Sequence, residues 1–273
     1  MQLVDPALVL GWAAALGWVG WLVVSLVVPT RVAGGRPAGL AGAWRSQPVR
    51  HRVLLVGLGC AVWLDVAQLS VVDSVEDRTG LSTLDPAVTG WFVDHRSAAL
   101  TAAAKLVSDA GGTVAMGVLA LLGVIFLAWR RHWSAAGLVA VAALGAALLV
   151  SVMKQVLGRM RPPLVDHLVL ETNASLPSGH ALGSAVVLGI LAAVALGVVR
   201  RPAARVAVVA IVVALVAVIG LSRLYLGVHW GTDVLTGWLL GAAWLSVCVT
   251  ALSVIRQGGG RWFEGRRQVE VRR

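Results

Sequence analysis

Seven runs of mostly apolar residues, near 8–28, 53–72, 113–129, 133–153, 179–199, 206–221 and 233–255, constrain this chain more than anything else in it. A bilayer core takes about 20 residues of helix to cross. Backbone groups inside lipid have no water to bond, so runs of this kind become helices. The composition agrees: 58% of the 273 residues are hydrophobic, 13% are charged, and the mean hydropathy is +0.85. The expectation is an all-α, polytopic membrane helix bundle, with the third and sixth runs as its short members.

The net charge of +10 would point to nucleic acid in a soluble protein, but the positions of the arginines point elsewhere. Arg31, Arg36, Arg45, Arg50 and Arg52 share one connection, Arg130 and Arg131 another, and Arg200, Arg201 and Arg205 a third. Arg256, Arg261, Arg266, Arg267, Arg272 and Arg273 lie in the tail. These connections alternate, so sixteen of the 23 basic residues fall on one side, which the positive-inside rule makes cytoplasmic. The other side holds most of the acids, among them Asp73, Glu76, Asp77, Asp85, Asp94, Asp109, Asp166 and Glu171. The chain then sits in the cell membrane with its N-terminus outside and its C-terminus in the cytoplasm. Its basic excess meets anionic membrane lipids, and nucleic acid is not an expected partner.

The first run lacks a basic leader and starts Met1-Gln2-Leu3-Val4-Asp5-Pro6, so it reads as a retained helix and not a signal peptide. Gly11, Gly17 and Gly20 suit helix packing, and Trp12, Trp18 and Trp21 suit the interface. Residues 1–52 are accordingly an N-terminal transmembrane helix with a basic loop, 53–255 a six-helix core, and 256–273 a Gly- and Arg-rich cytoplasmic tail. Asp65, in the second run, is an intramembrane acid. In the connection 73–110, Val88, Trp91, Phe92, Ala99, Ala102 and Leu106 recur at helical spacing, with Asp94, Arg96 and Lys105 elsewhere and His95 interrupting the stripe. This predicts an amphipathic helix on the outer leaflet, covering the bundle. Cys60 and Cys248 both fall inside apolar runs, where thiols behave as small hydrophobes, so no disulfide or zinc site is implied.

Three segments carry the chemistry. The fourth run ends Lys154-Gln155-Val156-Leu157-Gly158-Arg159-Met160-Arg161-Pro162. Lys154 and Arg161 are two turns apart and share a face if the helix persists to the proline, while Arg159 falls off that face, toward solvent. The fifth run opens Pro177-Ser178-Gly179-His180, a helix start with free N–H groups. Between the sixth and seventh runs lies Ser222-Arg223-Leu224-Tyr225-Leu226-Gly227-Val228-His229-Trp230-Gly231-Thr232-Asp233, which places charge where lipid is expected. Asp233, one helical turn from His229, is spaced to hold one imidazole nitrogen and leave the other free to attack. Tyr225 reads as packing, as does the Gly237 and Gly241 pair. All three segments emerge at the outer surface, and their cations, backbone donors and histidines suit a phosphate.

Lysine, six residues, Arg-Pro; Pro-Ser-Gly-His; Ser-Arg, five residues, His, three residues, Asp: in order and spacing this resembles the three-part signature of the type 2 phosphatidic acid phosphatase superfamily. The resemblance covers roughly residues 53–255 and implies a six-helix, metal-independent lipid phosphatase core with no cofactor. It implies that His229 attacks phosphorus to form a phosphohistidine, that Asp233 orients it, and that His180 protonates the leaving group and then activates water. Lys154, Arg161, Ser178, Gly179 and Arg223 would hold the phosphate oxygens. The expected substrate is a lipid phosphate or diphosphate, such as a polyprenyl diphosphate (undecaprenyl diphosphate in the cell envelope), phosphatidic acid or phosphatidylglycerol phosphate, hydrolysed at the extracytoplasmic face. Two alternatives are a lipid phosphotransferase using the same site and a non-enzymatic protein that binds anionic lipid.

Overall fold

The computed structural model describes residues 49–270. The first apolar run, the loop up to residue 48 and the last three residues lie outside the described residues, and the expected N-terminal helix lies there too. Eight α-helices follow: α1 Val49–Glu76, α2 Asp85–Asp94, α3 Ala98–Ala110, α4 Thr113–Trp129, α5 Trp133–Leu157, α6 Gly179–Ala195, α7 Pro202–Tyr225 and α8 Gly231–Glu270. α8 runs on into the basic tail, where Arg261 to Glu270 are mostly good helix formers.

Every apolar run from residue 53 onward becomes a helix. α1, α5, α7 and the Gly231–Arg256 part of α8 are long and apolar enough to cross a membrane, and α3 with α4 passes as a pair bent by 44°. α6, with 17 residues, is the shortest of the bundle's six apolar members together with α4. The sixth run is therefore not short. Hydropathy cuts it at residue 221 because of Arg223, yet α7 continues to Tyr225. Arg223 is paired and only 2% exposed, so its charge does not face lipid.

The connection 73–110 does not make one amphipathic helix. It breaks at residues 95–97, where the His95 ring stacks on Trp91 and its Nδ1 lies 2.7 Å from the Trp91 carbonyl oxygen, closing α2. Ser97 then caps α3, its hydroxyl accepting the Leu100 N–H at 3.3 Å. The bend into α4 falls at Gly111 and Gly112, and a Cβ on Gly111 would lie 2.4 Å from Ile219 of α7. Lack of a side chain there lets the bend press against α7.

α8 is the axis of the bundle, packing on α1, α5, α6 and α7. Its seam with α6 is built on the two glycines read as a packing pair. A Cβ on Gly237 would stand 2.7 Å from the Ser178 carbonyl oxygen, and one on Gly241 3.1 Å from that of Leu182. Val139 and Ala142 of α5, Val186 and Ile190 of α6, and Cys248 of α8 fill the adjoining core. At the far end of α6, Arg205 donates to the Leu196 and Val199 carbonyls and Arg256 to that of Val194, meeting the negative end of the helix. Outward-facing leucines and valines sheathe the exterior: only 11% of the most apolar window of α7 is buried against protein, as expected of a helix facing lipid chains.

Candidate active site

The site forms at one end of the bundle, where α5 stops and α6 and α8 start. α5 ends at Gly158, which takes the left-handed conformation (φ 56°) and sends its N–H back to the Lys154 carbonyl at 3.1 Å. The helix therefore does not persist to Pro162, and Lys154 and Arg161 meet through the following loop, not along one helical face. That loop is tied down at several points. Ser175 N–H reaches the Arg159 carbonyl at 2.9 Å, Leu168 N–H that of Leu226 at 3.0 Å, and Ser178 N–H that of Asp233 at 3.0 Å.

The turn between α7 and α8 carries His229 and is fixed by a corner of its own. Gly227 has φ 71°, and a Cβ there would lie 2.2 Å from the Asp166 carbonyl oxygen, so only glycine fits. Arg96, in the break between α2 and α3, donates to the carbonyls of Tyr225 and Asp166. The Tyr225 hydroxyl accepts the Ser97 N–H at 2.9 Å. Tyr225 is thus a peg that locks this corner to the outer helices, a larger role than packing alone.

Against this frame His229 is buried, 2% exposed, with Nδ1 3.3 Å from Asp233 Oδ2. Its Nε2 lies 3.3 Å from Arg161 Nη1. A guanidinium only donates, so Nε2 accepts and the proton belongs on Nδ1, facing Asp233. Burial pushes the imidazole down to about 4 although Asp233 pulls it upward, so the ring is neutral at neutral pH. Asp233 is held on both oxygens: Oδ2 accepts the Trp230 N–H at 2.8 Å and Oδ1 accepts Arg159 Nη1 at 2.5 Å.

A cavity of about 620 Å³ faces this pair. Lys154, Arg161, Gly179, His180 and His229 line its polar end. It continues between α4 and α5 past Gly117, Ala120, Ala143 and Ala147. From Lys154 to Ala140 on α5 it extends about 20 Å at the helical rise. Leu121 and Leu144 line it and are also exposed, so the channel opens on the lipid-facing side.

Of the eight residues singled out in the sequence, five line the cavity and three stand behind it. Ser178 is fully buried and caps α6, its hydroxyl accepting the Ala181 N–H at 3.4 Å. Asp233 backs His229. Arg223 donates to Ser108 Oγ at 2.5 Å and is paired with Glu171. Glu171 also lies 3.5 Å from Arg161. Asn173 Oδ1 accepts from Lys154 at 3.1 Å and from Arg161 at 2.6 Å. Burial disfavours the charged form of Glu171, but Arg223 and Arg161 outweigh it and hold the carboxyl below its usual range. Burial likewise lowers Arg161, while Glu171 and Asp233 oppose that.

Sequence reasoning missed Glu171, Asn173 and Asp85, and it misplaced Arg159. Arg159 does not point to solvent; it reaches Asp233 and, at 2.7 Å, Asp85. The turn at Gly158 redirects it inward. Asp65 is exposed and does not line the cavity.

Comparison with known proteins bears on this arrangement. Residues 134–256 match the family model of the PAP2 superfamily. Phosphatidylglycerophosphatase B of Bacillus subtilis (strain 168) is 34% identical over 126 residues, covering 45% of this chain; the chain spans 61% of that relative's length. Decaprenylphosphoryl-5-phosphoribose phosphatase of Mycobacterium tuberculosis is 37% identical over 145 residues, 53% of this chain and 72% of the relative. The crystal structure of the first transmembrane PAP2 type phosphatidylglycerolphosphate phosphatase from Bacillus subtilis superposes with a TM-score of 0.62 at 26% identity, over 69% of this chain and 93% of that one.

Proposed function

This chain belongs to the PAP2 superfamily, and from that premise we propose that it is an integral membrane phosphatase that removes a phosphate group from a lipid, with residues 53–255 as the phosphatase unit. The observation that carries this reading is a neutral histidine whose unprotonated Nε2, beside Arg161, borders a cavity that is cationic at one end and lined by small apolar residues along α4 and α5. A phosphate head and a hydrocarbon tail suit its two ends.

The Nε2 lone pair of His229 attacks phosphorus, forming an N–P bond while the bond to the lipid alcohol breaks. His180, on the same cavity, takes up a proton as the phosphate charge arrives beside it and gives that proton to the leaving oxygen. In the second step His180 takes a proton from water, whose oxygen displaces His229 and frees inorganic phosphate. The Nδ1 proton stays on the ring, hydrogen-bonded to Asp233, throughout. Lys154 and Arg161, with the Gly179 N–H, hold the phosphate oxygens directly. Arg223 joins them when Glu171 swings aside, and Ser178 fixes the start of α6 that presents Gly179 and His180. The arginines at the other end of α6 and in the tail favour an extracytoplasmic site under the positive-inside rule. The relatives' substrates, phosphatidylglycerophosphate and decaprenylphosphoryl-5-phosphoribose, join a polyprenyl diphosphate and phosphatidic acid as the compounds to test.

The test is phosphate release by purified protein in detergent from that panel. Wild type is expected to turn over at least one of them, and His229→Ala to lose at least about 10³-fold in rate. Equal release by both proteins would rule out the histidine nucleophile, and release from none would rule out the phosphatase reading.

A further inference from the structure

Behind the histidine lies an ion cluster that joins Asp233 to Arg159, a residue with no assigned role in its segment, and to Asp85, which lies outside all three segments. Arg159 Nη1 donates to Asp233 Oδ1 at 2.5 Å and to Thr232 Oγ1 at 2.8 Å, and its Nη2 pairs with Asp85 Oδ2 at 2.7 Å. Asp85 in turn accepts the Thr232 N–H at 2.9 Å and the Thr232 hydroxyl at 2.5 Å, clasping the first turn of α8. Asp85 is 3% exposed and Asp233 fully buried, while the Arg159 side chain is 16% exposed. None of the three lines the cavity.

Two things follow from physical chemistry. A fully buried carboxylate beside a neutral imidazole and one backbone N–H lacks a countercharge, and burial of an uncompensated charge is strongly unfavourable. Arg159 supplies that countercharge, and Asp85 keeps the guanidinium from being a lone buried cation. A carboxylate gripped at one oxygen by one arm of an arginine, whose other arm is fixed on Asp85, and at the other oxygen by an N–H cannot rotate, so its plane is set. The lone pair of Oδ2 then stays aimed at His229 Nδ1.

We propose that Arg159, anchored by Asp85, is a positioning residue for the His229 and Asp233 pair: it keeps Asp233 ionised and fixes the direction from which Asp233 holds the nucleophile. This rests on His229 acting as the nucleophile. Arg159 touches no part of the cavity, so its loss slows the chemistry without weakening substrate binding. Misaiming a catalytic group by about 1 Å costs on the order of 10²-fold.

The test uses full-length protein in detergent and whichever lipid phosphate the wild type hydrolyses, with His229→Ala as reference. Arg159→Met is expected to lower kcat by about 10- to 100-fold and leave KM within about twofold. Arg159→Lys, which keeps the charge and loses the fork, is expected to fall between Arg159→Met and wild type. The decisive comparison is Asp233→Asn with and without Arg159→Met. If Arg159 works through Asp233, the double variant is no slower than Asp233→Asn alone, within about twofold; a merely structural role makes the losses multiply. Wild-type kcat in Arg159→Met, or multiplying losses, would overturn the proposal even though His229→Ala stays inactive. An inactive wild type would instead sink the phosphatase reading beneath it, and an active His229→Ala the histidine nucleophile on which the brace acts. Should Arg159→Met fail to elute as folded protein, Asp85→Asn and Arg159→Lys decide: a drop in kcat at constant KM in both supports the brace, and wild-type kcat in both removes it.

Discussion

The His229 ring is enclosed by protein and borders an arginine on one side and an aspartate on the other. Burial dominates and holds it at about 4, below the ordinary 6.5 of a histidine. A lowered histidine is neutral above its folded value and charges only as pH falls through it, so the proposed nucleophile is available across the whole neutral range. Histidine-labelled protein, assigned by comparison with His229→Ala, should show this ring titrating near pH 4 by NMR; a midpoint near 6.5 would contradict the burial described here. At this scale the sequence was legible where chemistry demands fixed spacing, as for His229 and Asp233 one turn apart. It was silent where a partner is found through space. Asp85 lies 147 positions from Thr232, with no motif linking them, and Arg159 was misread because Gly158 turns the chain at that point.

The helices themselves were the easiest part to read, since lipid leaves the backbone no other solution. The break at residues 95–97 was not legible, because what stabilises it is Arg96 reaching Tyr225 from 129 positions away. The seam of α6 and α8 is the element-scale device that brings two motifs into one site. Its glycines set how closely Ser178 and His180 approach His229 and Asp233. Gly237→Val should push α6 outward, costing about 1–3 kcal/mol by overpacking. Phosphate release should fall by at least about tenfold as His180 moves off its mark. Gly59→Ala on α1, where a Cβ meets nothing within 4 Å, is the matched control and should keep both stability and activity. Thermal melts and initial rates of the two variants check this, and equal behaviour would show that the seam is not what registers the motifs.

For the whole molecule, a bundle that gathers Lys154, Arg161 and Arg223 at one end concentrates like charge, which works against compactness when no phosphate is bound. Glu171 answers from within the chain by pairing with two of the three. Its carboxyl is held below the usual value, so its contribution to stability is fully present above the unfolded value near 4.5. That contribution is lost as pH falls through the folded one. Glu171→Gln should therefore cost about 1–3 kcal/mol at neutral pH in phosphate-free buffer. Added inorganic phosphate should raise the melting temperature of this variant more than that of wild type, because the anion then takes the place of the missing carboxylate. Identical melting of both proteins, with and without phosphate, would count against it. In wild type the same carboxylate makes binding an exchange of one anion for another. On the proposed phosphatase reading, each turnover ends with the protein's own side chain competing for the cations against the product, and Glu171 is the internal rival that shortens the residence of free phosphate.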